Sequence, residues 1–142
     1  DLDEFKPIND HCGHEAGDAM LVEIAKRLVS VTRIEDMVGR WGGDEFIVVM
    51  GNLGTNKEKA LERASLMADR LINNIKTPMD FDENKLQVNT SIGVRFLDYE
   101  EKTTIDQLFN DADSAMYLAK KAGKGHAVFF QNESVQEALS II

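Results

Sequence analysis

Two adjacent glycines between two short apolar runs restrict the fold of this chain more than any other feature. The segment Gly42-Gly43-Asp44-Glu45 separates the apolar runs 37–41 and 46–50, and the second run is rich in Val and Ile. Glycine readily adopts the positive φ angles that tight hairpin turns require, and Val and Ile favour strands. The sequence therefore predicts a β-hairpin whose turn carries two neighbouring carboxylates.

Helical periodicity predicts three long amphipathic helices elsewhere. Apolar residues recur three or four positions apart over residues 16–32, 57–76 and 104–121. Residues 1–10 show a shorter helical spacing that Asp1 or Asp3 could cap, and residues 11–15, which include Gly13, are predicted to form a loop. Strands are predicted over 86–96 and 127–130, followed by a terminal helix or a tail over 131–142.

The order of these elements indicates an α/β or α+β sandwich in which helices cover an antiparallel-rich sheet. The 142 residues suffice for one domain with its own core. The single cysteine, Cys12, excludes an intramolecular disulfide. No apolar run of about 18 residues and no signal peptide occur, so no membrane segment is expected in this chain.

The net charge of −9 argues against a broad surface for nucleic acid. Carboxylates can still bind polyphosphates by recruiting divalent cations. Asp44 and Glu45 fit either a solvated acidic turn or such a cation site, because adjacent carboxylates repel each other unless a cation lies between them. Asp1 would join them if it ended a strand beside residues 46–50, since paired acidic strands commonly hold two divalent ions for phosphoryl transfer.

Four polar residues follow within one short stretch: Lys6, Asn9, His14 and Asp18. Each has an ordinary explanation by itself. Lys6 would be a solvated helix residue and Asn9 a turn former. His14 would lie in a loop, and Asp18 in the first turn of a helix, where the helix dipole favours a carboxylate. Together they offer an ammonium for phosphate, and an amide and a carboxylate for a purine. The carboxylate of Asp18 could accept the N1–H and N2–H donors of guanine, which would favour guanine over adenine.

Lys120 and Lys124 lie four residues apart at the end of the last long helix. Cations at a helix C-terminus are favoured by the helix dipole, so this position alone explains them. The functional alternative is a clamp on a triphosphate.

Four ordered blocks of this sequence resemble the GGDEF family, the catalytic domains of diguanylate cyclases. The first is Asp1-Leu2-Asp3-Glu4-Phe5-Lys6-Pro7-Ile8-Asn9-Asp10 with Gly13-His14 and Gly17-Asp18, and the second is Arg40-Trp41-Gly42-Gly43-Asp44-Glu45-Phe46. Ser91-Ile92-Gly93, and the segment that contains Ala112-Asp113, Ala115-Met116-Tyr117, Ala119-Lys120 and Gly123, provide the third and fourth. The resemblance covers about residues 1–130.

The resemblance implies a palm-like (ferredoxin-like) fold, as in class III nucleotide cyclases. It implies a GGDEF domain over residues 1–130 and a tail or linker over 131–142, similar to the exit into the second module of tandem GGDEF–EAL proteins. In the family a central strand precedes the position of Asp1, so we expect that first strand to be truncated here.

The resemblance also implies a reaction, in which two GTP molecules condense to cyclic di-GMP and two pyrophosphates. Each protomer of a homodimer would hold one GTP, and the 3′-hydroxyl of one GTP would attack the α-phosphate of the other. The implied location is cytoplasmic, within a parent protein that could carry a sensor or EAL domain and a membrane anchor.

Site residues carry over from the family position by position. The metal ligands for two Mg²⁺ or Mn²⁺ ions per GTP are Asp1, Asp44 and the Leu2 carbonyl. Asp44 would also take the proton of the 3′-hydroxyl, supported by Glu45. The groups implied to contact GTP are Lys6, Asn9, His14, Asp18, Gly42, Gly43, Lys120 and Lys124. Lys124 stands where the family usually has Arg, which keeps the charge and loses the planar fork.

A second, inhibitory site for the product is implied by Arg33 and Asp36, because the five residues 37–41 separate Asp36 from Gly42-Gly43-Asp44-Glu45-Phe46, the spacing of the family's Arg-x-x-Asp. An arginine fork can bind a guanine edge or a phosphate in bidentate fashion. Arg70 resembles a further contact of this site. The ordinary alternative is a helix-terminal Arg and a strand-leading Asp. A family member that binds GTP or cyclic di-GMP without turnover and regulates a linked domain is the alternative to the enzyme.

Overall fold

The computed structural model describes residues 1–141. The helices in this part of the chain are α1 (Phe5–Cys12), α2 (His14–Val31), α3 (Lys57–Ile75), α4 (Ile105–Lys121) and α5 (Glu133–Ile141). The strands are β1 (Leu2–Asp3), β2 (Met37–Gly42), β3 (Glu45–Val49), β4 (Met79–Phe81), β5 (Asn84–Leu86), β6 (Asn89–Thr90), β7 (Ile92–Val94) and β8 (Ala127–Phe129).

The strands associate in pairs, and three of the four pairs are antiparallel. The antiparallel pairs are β1 with β6, β2 with β3, and β4 with β5, while β7 and β8 are parallel. Long helices with mainly antiparallel strands confirm the predicted α+β class. The chain divides into two compact units, the first made of residues 1–51 and 70–90 and the second of residues 52–69 and Ser91 onward.

In the first unit, α1 and α2 pack together on each side of Gly13, whose φ of 90° turns the chain between them. Their apolar faces supply much of the core of this unit, namely Phe5, Ile8, Ala16, Met20, Ile24 and Leu28. Arg27 of α2 binds the C-terminal end of α3, because its guanidinium donates hydrogen bonds to the carbonyls of Asn74 at 3.1 Å and Ile75 at 3.0 Å. The first unit is thus a helical layer with β1 to β6 attached.

In the second unit, α4 lies directly on β7. A Cβ atom on Gly93 would come within 1.9 Å of the Ala112 carbonyl oxygen, so only glycine permits this approach. Thr104 caps α4, because its hydroxyl accepts the Gln107 N–H at 3.1 Å. Parallel pairing of Ile92 with Ala127 then places β8 beside β7.

Helix α5 is part of the second unit. Val135 is 1% exposed and packs in a cluster with Ala60, Leu61 and Phe96. The Lys57 ammonium lies 2.8 Å from the Asp98 carboxylate and 3.0 Å from that of Glu137 on α5, and these hydrogen bonds raise the pKa of Lys57. Of the two alternatives for residues 131–142, the helix is the one found; Ile142 lies outside the described residues.

Three predicted elements are corrected by the structure. Residues 11–15 are helical apart from Gly13, because one glycine at positive φ redirects the chain without a longer loop. Asp1 and Asp3 do not cap α1: Leu2–Asp3 is a strand, and the residue before α1 is Glu4, in a left-handed conformation with φ of 65°. The strand predicted over 86–96 is interrupted and forms parts of β5, β6 and β7.

The β4–β5 hairpin is an element that the sequence analysis missed. It turns at Asp82, which has φ of 51°, and pairs Phe81 with Asn84. The signal was present in the Asp82-Glu83-Asn84 segment, because Asp and Asn tolerate positive φ in tight turns. No helix within residues 1–141 is long and apolar enough to cross a bilayer.

Candidate functional site

The turn between β2 and β3 is the centre of the candidate site. Gly42 pairs with Glu45, Arg40 pairs with Phe46, and the register shifts between these two pairs. Gly43 has φ of 52°, a conformation that favours glycine. The guanidinium of Arg40 donates through Nε to the Gly43 carbonyl at 2.8 Å, which ties the strand to its own turn. The predicted hairpin is therefore confirmed.

Residues 1–3 are held against this turn. The Leu2 N–H donates to the Asp44 carbonyl at 3.2 Å, and Leu2 also pairs with Thr90 of β6. The Thr90 hydroxyl donates to the Asp1 carbonyl at 2.8 Å. Leu2 is 3% exposed and Asp3 is 1% exposed, so this short strand is buried at the turn. The backbones that carry Asp1 and Asp44 therefore meet.

The strand partner of residues 2–3 differs from the one considered in the sequence analysis. The sequence placed Asp1 near Asp44 on the condition that Asp1 ended a strand beside residues 46–50, whereas β1 pairs with β6 and its Leu2 N–H donates to the Asp44 carbonyl. Within residues 1–141, no group of three or more His, Cys, Asp and Glu side chains is arranged to hold a metal ion. A metal at this position would depend on the carboxylates of Asp1 and Asp44 together with backbone and ligand oxygens.

These donors suit a hard divalent cation. Carboxylate and backbone carbonyl oxygens are the ligands that Mg²⁺ and Mn²⁺ prefer, and Mg²⁺ is commonly bound by one or two carboxylates with substrate phosphates completing its shell. Asp44 and Glu45 are half-buried. The donor chemistry of the residues present therefore fits the metal ions implied by the sequence.

The residues predicted to contact a nucleoside surround the junction of α1 and α2. Lys6 is exposed on α1, and Asn9 is half-buried near its end. His14 begins α2 and Asp18 follows one turn later, both exposed. The structure thus brings Asn9, His14 and Asp18 to one helix junction in the first unit.

Arg33 and Asp36 form a closed turn after α2. The Asp36 carboxylate accepts the Arg33 backbone N–H at 2.8 Å and the Gly51 N–H at 3.4 Å, and its side chain is fully buried. Burial raises the pKa of Asp36, but the hydrogen bonds from Arg33 and Gly51 outweigh it and leave the pKa below its usual value. Asp36 therefore fixes the turn from which Arg33 projects.

The Arg33 guanidinium is 42% exposed and already has acidic neighbours. It lies 3.3 Å from the Glu35 carboxylate and 3.4 Å from that of Asp36, and it donates to the Gly51 carbonyl. Arg70 is exposed on α3 in the same unit. A cleft of about 410 Å³ opens beside Arg33, lined by Val29, Thr32, Arg33, Ile34, Asp36 and Val38.

Lys120 and Lys124 belong to the second unit. Lys120 is half-buried at the end of α4, and Lys124 is exposed. Lys124 has φ of 62°, and its N–H donates to the Ala119 carbonyl at 3.2 Å, which closes the helix end. Non-glycine residues rarely adopt this left-handed conformation, because it strains the backbone. The neighbouring Gly123 and Gly125 also have positive φ but lack the Cβ atom that causes the strain.

A buried ion-pair network in the second unit was not predicted from the sequence. The Arg95 side chain is 8% exposed and bonds to Asp111 at 2.9 Å and to Glu101 at 2.9 and 3.0 Å. The hydrogen bond to Glu101 is the main cause that raises the pKa of Arg95. Burial raises the pKa of Asp111, but the bonds from Arg95 and Gln107 leave it lowered. Arg95 follows the end of β7 and Asp111 lies 16 residues later on α4, so no local sequence pattern predicts the pair.

Comparison with known proteins gives consistent results. The family model described as the diguanylate cyclase GGDEF domain matches residues 1–126. The chain is 39% identical over 126 residues to the diguanylate cyclase TpbB of Pseudomonas aeruginosa, covering 88% of this chain and 28% of TpbB. It is 32% identical to MucR of the same species, named a bifunctional diguanylate cyclase and cyclic di-GMP phosphodiesterase, covering 100% of this chain and 20% of MucR.

Solved structures agree with the sequence relatives. The solved structure of an N-terminally truncated TpbB mutant that comprises only the GGDEF domain superposes with a TM-score of 0.82 at 34% identity, covering 98% of this chain and 78% of that chain. This confirms the palm-like cyclase fold that the sequence predicted. This chain spans between 16% and 28% of the length of the first three curated relatives it matches.

Proposed function

Because the chain belongs to the GGDEF family of diguanylate cyclase domains, we propose that it condenses two GTP molecules into cyclic di-GMP and two pyrophosphates. The observation that carries this proposal is the hydrogen bond from the Leu2 N–H to the Asp44 carbonyl. It joins the segment that bears Asp1 to the glycine turn that bears Asp44. Two carboxylates on adjoining backbones are what a metal-assisted phosphoryl transfer needs.

The metal ligands in this proposal are Asp1, Asp44 and the Leu2 carbonyl oxygen. Two Mg²⁺ or Mn²⁺ ions per GTP, when bound, would neutralise phosphate charge and make the attacking hydroxyl easier to ionise. Support comes from the hard oxygen donors and from the hydrogen bonds that hold both chain segments in place. Two carboxylates leave coordination positions for phosphate oxygens and water.

The chain's own residues would act on the reacting groups as follows. Asp44 takes the proton of the 3′-hydroxyl of one GTP while that oxygen forms a bond to the α-phosphorus of the other. The bond from that phosphorus to the bridging oxygen breaks, and pyrophosphate leaves with its electron pair. Lys6 stabilises the charge that develops on the phosphates, and Glu45 supports the metal site. The reaction occurs twice, across a homodimer in which each protomer contributes one GTP.

Glycines at the turn support phosphate binding. Gly42 and Gly43 have no side chains that would occupy the space above the turn, and a Cβ on either would meet no atom within 4 Å. That open space is available to phosphate oxygens. For Lys120 and Lys124 the proposal that they contact the triphosphate rests on the family resemblance.

Asn9, His14 and Asp18 are the proposed guanosine ligands. Their common position at the α1–α2 junction supports this assignment. The Asp18 carboxylate would accept the N1–H and N2–H of guanine, an edge that adenine does not present. Since GTP is a cytoplasmic nucleotide, we place the domain in the cytoplasm.

Product inhibition is the proposed role of Arg33, Asp36 and Arg70. The cleft of about 410 Å³ beside Arg33 and the fixed Arg33–Asp36 turn support it. A guanine edge or a phosphate of cyclic di-GMP would bind the Arg33 fork and would have to displace its contacts with Glu35 and the Gly51 carbonyl.

A regulatory module is the second candidate function. The match to this chain covers 20% of the length of MucR, which is named as both a diguanylate cyclase and a cyclic di-GMP phosphodiesterase. In such a protein, a GGDEF domain that binds GTP or cyclic di-GMP without turnover would control a linked phosphodiesterase (EAL) domain. We propose residues 1–130 as the nucleotide-binding domain and 131–142 as the segment leading to a further module.

One experiment separates the two functions. The chain is incubated with GTP and Mn²⁺, GTP binding is measured by calorimetry, and products are separated by chromatography. The cyclase proposal predicts bound GTP and cyclic di-GMP from the unmodified chain, and no cyclic di-GMP from Asp44→Asn, which has lost a proposed metal ligand and the proposed base. Binding of GTP without cyclic di-GMP from the unmodified chain would reject the cyclase and favour the regulatory module.

A further inference from the structure

We infer that Gly17 is a positioning residue for the nucleotide, because its missing side chain leaves the space that the Asn9 amide occupies. The inference rests on the proposed function, since Asn9 is one of the proposed guanosine ligands. It adds a residue that acts through Asn9 and does not itself touch the nucleotide.

The geometry at Gly17 leaves no room for a side chain. A Cβ atom at this position would lie 1.7 Å from Oδ1 of Asn9 and 2.8 Å from its Cγ. Both distances are far inside van der Waals contact. Gly17 itself is buried in the first turn of α2, so a substituent there has no open direction to turn to.

Backbone conformation does not explain this glycine. Gly17 lies within the regular helix His14–Val31, where every other residue type except proline is a better helix former. Gly13, four residues earlier, is different, because its φ of 90° requires glycine. The contact with Asn9 is therefore the physical reason for a glycine at position 17.

The Asn9 backbone is fixed, so a clash at Gly17 must move the Asn9 side chain. The Asn9 carbonyl accepts the Gly13 N–H at 3.0 Å, which closes the end of α1. An amide held in one rotamer binds a nucleoside without first losing conformational freedom, and a displaced amide does not. Because Asn9 is a proposed ligand of the guanosine and is given no part in the phosphoryl transfer, its displacement should weaken GTP binding and leave the chemical step intact.

Gly17→Ala is the direct test. Binding of a nonhydrolysable GTP analogue is measured by calorimetry with Mg²⁺, and turnover is measured at saturating GTP. We expect Kd to rise about tenfold, the loss of roughly one hydrogen bond, with kcat unchanged within about twofold. Gly39→Ala is the matched control, because a Cβ on Gly39 would meet no atom within 4 Å, and it should change neither value.

A double-mutant cycle with Asn9→Ala separates positioning from general damage. If Gly17 acts only through Asn9, the variant Asn9→Ala/Gly17→Ala binds the analogue as weakly as Asn9→Ala alone. Additive losses in the double variant, or an unchanged Kd in Gly17→Ala, would overturn the inference.

Thermal unfolding provides a readout that does not depend on the nucleotide. Gly17→Ala should lower Tm when Asn9 is present, and should leave Tm unchanged or raise it when residue 9 is Ala, because alanine favours the helix once the clash is gone. An equal fall of Tm in both backgrounds would refute the Gly17–Asn9 contact. If the unmodified chain binds no GTP analogue, both the proposed function and the nucleotide role of Gly17 are rejected. The Tm values still test the contact between Gly17 and Asn9 in that case.

Discussion

Replacing Arg95 by methionine tests how the second unit is held together. The Arg95 guanidinium lies between the carboxylates of Asp111 and Glu101, donates to the Phe96 carbonyl at 2.7 Å and sits 5.3 Å from the centre of the Phe130 ring. Methionine preserves much of the apolar length of the side chain and removes the charge. The change therefore leaves a buried carboxylate without its cation.

The expected loss of stability follows from the burial of these groups. Arg95 and Asp111 side chains are each 8% exposed, whereas that of Glu101 is 24% exposed and can be solvated by water. Removing one partner of a buried ion pair typically costs 3–5 kcal/mol, and the partial solvation of Glu101 places this case near the lower end, about 3 kcal/mol. For a chain of this size that corresponds to a fall in Tm of roughly 10 °C.

The pH dependence of the loss identifies its cause. The folded-state pKa of Asp111 is lowered, so its stabilising contribution is present above its unfolded value of 3.8 and is lost as the pH falls through the lower folded value. Without Arg95, burial raises the pKa of Asp111 instead. The difference in stability between the two proteins should therefore be largest at neutral pH. It should begin to narrow as the pH falls through the raised pKa of Asp111 in the variant, above 3.8, and should vanish below the lowered pKa of Asp111 in the unmodified protein.

Urea unfolding at several pH values measures this difference. The double variant Arg95→Met/Asp111→Leu should recover most of the loss, because it removes both charges. Lys85→Ala is the control for an exposed pair, since Lys85 and Asp80 are 79% and 80% exposed, and it should cost less than about 0.5 kcal/mol. A loss below 1 kcal/mol at pH 7, or one independent of pH, would refute the reasoning.

Three further substitutions test other parts of the molecule. Arg33→Ala should abolish inhibition by cyclic di-GMP while turnover stays intact; unchanged inhibition in an initial-rate assay would remove the assignment. Gly93→Ala should destabilise the chain by more than 3 kcal/mol in urea unfolding, because its Cβ would overlap the Ala112 carbonyl, whereas Gly39→Ala should have little effect. Val135→Ala should cost about 2 kcal/mol if α5 belongs to the folded unit, and proteolysis within α5 should become faster; no change in either would contradict that docking.

The sequence predicted the glycine turn and the long helices better than it predicted the strands after residue 86. The glycine turn and the long helices have strong local signals, so residues 42–45 and the helices α2, α3 and α4 occur where expected. The strand predicted over 86–96 failed because alternation of apolar residues does not show where one strand leaves one partner and joins another. Thr90 pairs with Leu2, whereas Ile92 pairs with Ala127.

Contacts between residues that lie far apart in the sequence could not be predicted from it. The hydrogen bond from Leu2 to Asp44 and the ion pair of Arg95 with Asp111 depend on tertiary packing that no local pattern encodes. The Gly17–Asn9 contact is an intermediate case. Its two residues are eight apart, and a glycine inside an amphipathic helix is a signal that something packs closely against it.

The central claim is that the joined segments of Asp1 and Asp44 serve a cyclase in which two protomers each bring one GTP. The most direct measurement is the rate of cyclic di-GMP and pyrophosphate formation from GTP and Mn²⁺ over a range of protein concentrations. The account predicts two pyrophosphates for each cyclic di-GMP, and a rate per chain that rises with protein concentration until dimers are saturated. Bound GTP with no cyclic di-GMP at any protein concentration would contradict it.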